Sequence, residues 1–142
     1  MKKLALMMVA AMITSLSFAQ KMQEKDVPAP VKTALQKQYP KVSNVKWDKE
    51  EEKFEASFDL NKIDNSVLFD AQGNILETEV EIELNQLPNG ILDYVKTNYK
   101  GQSVKEAAKI TDVKGTVTYE AEIKGLDLLF DSNGKFIKET KD

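Results

Sequence analysis

The chain has 142 residues, with 20 basic side chains, every one a lysine, against 23 Asp plus Glu, for a net charge of −3. It has no cysteine and no histidine. Those counts exclude disulfides, thiol nucleophiles, histidine-based triads and ordinary zinc sites, and an acidic balance disfavours nucleic acid.

The first nineteen residues read as a signal peptide: Lys2 and Lys3, an apolar run from Leu4 to Ile13, and Ser17-Phe18-Ala19 before Gln20. The run is too short to span a bilayer, which takes about 20 apolar residues. The mature chain is expected in the periplasm or secreted, with no membrane insertion after cleavage. It keeps 18 Lys against 23 acidic residues, a net charge of −5. Arginine, the usual bidentate anchor for phosphate and carboxylate, is absent; this argues against anion recognition or reflects base composition. Without disulfides, stability must come from apolar burial, and 123 mature residues suffice for one core.

Residues 20–26 are polar and read as a flexible lead-in. Asp26 is placed to cap a helix that tolerates Pro28 and Pro30 in its first turn. Val31, Ala34, Leu35, Gln38 and Tyr39 form one helical stripe, and Pro40 ends it. The period then changes to two. Val45 and Trp47 alternate with Lys46 and Asp48, and Phe54, Ala56, Phe58 and Leu60 with Glu55, Ser57 and Asp59. Val67 and Phe69 lead into a turn at Asp70 to Gly73. Leu76, Thr78, Val80, Ile82 and Leu84 then alternate with Glu77, Glu79, Glu81 and Glu83. A second helix follows, with Ile91, Tyr94, Val95, Asn98 and Tyr99 on one face, Gly90 weakening its first turn and Gly101 available as a left-handed cap. Further strands are expected near 103–111, 116–123, 126–130 and 135–140.

The two halves repeat each other. Val27-Pro28, Val31, Leu35 and Tyr39 recur 60 positions on as Leu87-Pro88, Ile91, Val95 and Tyr99. Phe54-Glu55-Ala56 returns as Tyr119-Glu120-Ala121, and Leu68-Phe69-Asp70-x-x-Gly73 as Leu129-Phe130-Asp131-x-x-Gly134. The offset changes only between elements, where loop length is tolerated. The expected fold is α+β: repeats at 27–84 and 85–142, about eight antiparallel strands, and helices packed on one sheet face.

In order and content these doubled motifs resemble the PepSY-like family, which is similar in fold to the beta-lactamase inhibitory protein. The resemblance covers about 24–140. It implies small exported non-enzymatic modules, some restraining peptidases. The chain lacks that inhibitor's disulfides, and none of its enzyme-contacting residues has a counterpart here.

No catalytic residue is assigned. Ser103 and Lys105 share strand parity but lack any oxyanion-hole pattern, and alternate glutamates some 6.6 Å apart at ~3.3 Å per residue match almost any acidic strand. The glutamate ladder reads mainly as a solvated face. Asp70 to Gly73 and Asp131 to Gly134 read as hairpin turns rather than calcium loops, because the remaining ligand positions are missing. Trp47 reads as core or rim, with a contact surface as the alternative.

A four-residue turn would set Leu68 opposite Ile75 and Leu129 opposite Phe136, on the strand face that carries Glu55, Glu79, Glu81 and Glu120. Those eight residues form the expected binding patch, although cover from another part of the molecule would make them core instead. The first function reading is a non-catalytic exported module that binds a protein or peptide and regulates a peptidase or other envelope protein. The second is an acidic face for cations or cationic peptides. The third, a carboxylate-dependent hydrolase, has no supporting motif. No cofactor or metal is implied, and neither the partner nor the oligomeric state is specified.

Overall fold

The computed structural model describes residues 19–141. The signal peptide expected over residues 1–19 therefore lies outside the described residues, except for Ala19. Among the described residues the fold is α+β, with nine antiparallel strands that follow chain order and two α-helices. It divides into two compact units, one up to Thr78 and one from Glu79 onward.

In the first unit, β1 (Gln20–Met22), β2 (Lys46–Glu50), β3 (Lys53–Leu60) and β4 (Ile63–Asp70) pair as successive antiparallel neighbours. Helix α1 (Ala29–Gln38) intervenes between β1 and β2. The three-residue β1 corrects the flexible lead-in: Met22 lies across from Trp47 and Lys21 across from Asp48. Asp26 belongs to a short 3-10 turn (Glu24–Asp26), and α1 takes Pro28 as its N-cap without a side-chain hydrogen bond. Pro30 in the first turn has no N–H to satisfy, and the Val31 N–H bonds to the Pro28 carbonyl at 3.0 Å, so the capping aspartate is dispensable.

The helical stripe forms as the spacing predicts. Val31 and Leu35 are buried with Trp47, Phe54, Ala56, Phe58, Val67 and Phe69, and Ala34 and Tyr39 pack at the margin. Tyr39 meets Phe58 with ring centroids 4.9 Å apart. Trp47 is thus a core residue.

Strand β5 (Ile75–Ile82) carries the chain from the first unit into the second. The second unit holds α2 (Ile91–Asn98), β6 (Glu106–Asp112), β7 (Val117–Ile123), β8 (Leu126–Asp131) and β9 (Phe136–Lys141). Gly90 caps α2 at φ 94°, and Ile91 and Val95 are buried with Ala107, Ala121, Ile123, Leu128 and Phe130. Full burial of one such aliphatic side chain is worth about 1.5–3 kcal/mol.

Each repeat locks its last hairpin against the start of its helix. A Cβ placed on Gly73 would lie 2.5 Å from the Pro30 carbonyl oxygen, and one on Gly134 would lie 3.0 Å from that of Asn89. The duplicated Asp-x-x-Gly motif therefore sets helix–hairpin contact as well as the turn.

Candidate functional site

Register decides which side chains face away from the helix. In the first unit, Trp47, Ala56 and Val67 stand side by side on the helix face, within the cluster that holds Val31. The adjacent rank, Lys21, Asp48, Glu55 and Leu68, therefore points the other way. In the second unit, Ala107, Ala121 and Leu128 share the helix cluster, and Ala108, Glu120 and Leu129 form the opposite rank. Glu55 across from Leu68 and Glu120 across from Leu129 are thus the same pair in two copies.

The structure corrects the expected patch in two respects. First, Ile75 and Phe136 lie on the helix side. Asp131 donates its N–H to the Lys135 carbonyl at 2.8 Å, and Gly134 donates to the Asp131 carbonyl at 2.9 Å. Gly134, at φ 83°, supplies the extra residue of a bulge, so Phe136 pairs with Phe130 rather than Leu129. A slip of one residue moves a side chain to the opposite face. Phe136 stacks on Tyr94 at 5.1 Å and meets Phe130 edge-on at 5.7 Å. A further irregularity leaves Ile137 exposed and brings Lys138 opposite Leu129. The equivalent bonds from Asp70 to Asn74 and from Gly73 to Asp70 accompany Ile75 into the first helix cluster.

Second, the remaining patch is not open surface. Leu68 is 2 % exposed and Leu129 0 %, with Glu55 at 6 %, Glu120 at 4 % and Glu79 at 0 %. Glu77 is buried as well, Glu81 is half-buried, and Val80 is exposed. The glutamate ladder is therefore not a solvated face along its length. Glu55, Glu77, Glu79 and Glu120 all have interaction partners, as buried carboxylates require.

Accessible polar surface on this face lies toward one end of the first unit. A cavity of about 840 Å³ is lined there by Lys46, Asp48, Ser57, Asp59 and Asp64 of this face and by Met22, Trp47 and Phe58 of the helix side, so it reaches both sides of the strands. Lys46 pairs with Ser57, and Asp59 with Asp64, so these residues continue the face of Glu55 and Leu68. Lys46 and Asp59 are exposed. None of these wall residues stands out as a site in the sequence, although the alternation of Lys46 and Asp48 with Val45 and Trp47 marks their parity.

The aspartate turns are structural. Asp70 Oδ1 accepts the N–H groups of Gln72 and Asn74, each at 2.9 Å, and Asp131 Oδ1 accepts those of Asn133 and Lys135. Asp112 repeats the arrangement with Lys114 and Thr116, a third copy outside the duplicated motif. The Asn74 side-chain amide, followed by its backbone N–H, holds the Asp70 carboxyl below its usual range. The Thr116 N–H does the same for Asp112. Just past the end of α2, partial burial and then the hydrogen bond to Glu139 push the Tyr99 phenol up to about 12. Among the described residues no group of three or more acidic side chains is placed to hold a metal, and no helix is long and apolar enough to cross a membrane.

No curated protein matches the chain. Among solved structures, a DUF2874 family protein from Bacteroides uniformis is 24% identical, with TM-score 0.69 over 80% of this chain and 88% of that one. A BLIP-like protein from Bacteroides fragilis is also 24% identical, with TM-score 0.62 over 80% and 86%. A "putative periplasmic" protein from Bacteroides eggerthii is 16% identical, with TM-score 0.70 over 81% and 88%. These similarities establish the fold. The family described as "Putative beta-lactamase-inhibitor-like, PepSY-like" matches in two overlapping regions, at residues 16–77 and 56–138. The chain belongs to this PepSY-like, beta-lactamase-inhibitor-like family.

Proposed function

We propose that the mature chain is a non-catalytic periplasmic module that binds another exported protein through the strand face turned away from α1. The observation that carries this reading is the polar wall that Lys46, Asp48, Ser57, Asp59 and Asp64 of that face contribute to a cavity reaching both sides of the strands. Both charge signs and a hydroxyl group converge there, as at the polar margin of a protein interface. The narrower form, restraint of a peptidase or another envelope protein, draws on the family resemblance. Export draws on the signal-like N-terminus and on a similar structure named as periplasmic. Sequestration of cations by the glutamate ladder is the weaker reading, because Glu77 and Glu79 are buried.

Mature protein used to capture partners from periplasmic extract provides the test. Lys46→Glu with Asp59→Lys reverses two exposed charges without altering the net charge, so the fold is expected to persist by circular dichroism. Affinity for the captured partner should fall at least about tenfold, or ~1.4 kcal/mol. Capture of the same partner at unchanged strength would contradict the reading.

A further inference from the structure

We propose that the mature chain starts at Gln20 and that this residue closes to a pyrrolidone lactam, leaving no charged N-terminus. Ser17-Phe18-Ala19 places the cut before Gln20, and both Ala19 and Gln20 are exposed. Strand β1 starts at Gln20 itself, so the new terminus is part of the edge strand rather than a tail.

The register shows what a free terminus would meet. Gln20 lies across from Lys49, and Lys21 is its neighbour in the chain. An α-ammonium on Gln20 would set a positive charge across the strand pair from Lys49, whereas Lys21 faces Asp48 on the other side, and like charges set across a strand pair destabilise the pairing. The lactam removes that charge and keeps one amide N–H on the same nitrogen.

The closure needs no second reactant. The uncharged α-amine attacks the side-chain Cδ carbonyl, forming an N–Cδ bond and a five-membered ring. The Cδ–Nε2 bond then breaks, and ammonia leaves with a proton from the attacking amine; nothing is oxidised or reduced. With an α-amino pKa of about 7.7–8.0, a sizeable minority of the amine is uncharged at neutral pH. A closed terminus also resists aminopeptidases, preserving β1, whose Lys21 and Met22 line the cavity.

The mature protein, taken directly from lysed exporting cells, should yield an N-terminal peptide lighter than Gln20-Lys21-Met22 by one ammonia. It should resist Edman degradation until treated with pyroglutamyl peptidase. Gln20→Asn, whose side chain is one methylene too short for the five-membered ring, should start at the same position with a free amine. Amide exchange at Lys21 and Met22 should then be faster than in the unaltered protein. A free glutaminyl amine in the unaltered protein, or a start at any other residue, would overturn the proposal.

Discussion

Single carboxylates do different work according to what they accept. Asp70 and Asp112 lie at the surface, yet each organises a turn by accepting backbone N–H groups two and four residues ahead. Hydrogen bonds to the ionised form depress a pKa. A depressed folded-state pKa gives stabilisation that is present above the unfolded carboxylate range and lost as pH falls through the folded value. An NMR titration should therefore find both groups below the ordinary aspartate value of about 3.9. Asp70→Ala and Asp112→Ala should each weaken the acid dependence of unfolding. Ordinary pKa values at both sites would show that these bonds do not persist in solution. Glu79 is the contrasting case, an acid in a strand that reads as amphipathic but fully buried. Alternation reveals which residues share a face and leaves open what that face meets.

At the scale of elements, helices were legible and hairpin register was not. Val31 and Leu35, like Ile91 and Val95, occur at i and i+4 and are buried as their period requires. The last hairpins defeat simple counting because one glycine bulge adds a residue, which reverses the side occupied by Ile75 and Phe136. The corrected register makes Phe136→Ala cost about 3 kcal/mol through loss of ring contacts with Tyr94 and Phe130. Ile137→Ala, at an exposed bulge position, should stay within about 0.5 kcal/mol. Equal costs in denaturant melts would return Phe136 to the opposite face.

Turn glycines give a second comparison at this scale. Gly115, at φ 79°, has open space where a Cβ would sit, so Gly115→Ala should incur only the left-handed backbone cost of roughly 1–2 kcal/mol. Gly73→Ala adds a steric collision with the Pro30 backbone, and Gly134→Ala a milder approach to Asn89. Loss of stability should rank Gly73 first, Gly134 second and Gly115 last. A ranking with Gly115 first would contradict the close helix–hairpin contacts.

For the whole molecule, the duplicated sequence and the two hydrophobic clusters describe one unit used twice. What distinguishes the copies functionally was less legible. Leu68 and Leu129, expected at a contact surface, are buried, whereas the polar wall in the first unit comes from strand residues that resemble ordinary solvated positions. The partner-facing side can be read directly by placing a photo-activated cross-linker, one position at a time, in protein exported to the periplasm. Positions 46 and 59 on the cavity wall should yield adducts with an envelope protein, and positions 37 and 96 on the exposed sides of α1 and α2 should not. Adducts confined to the helix positions would contradict binding through the strand face.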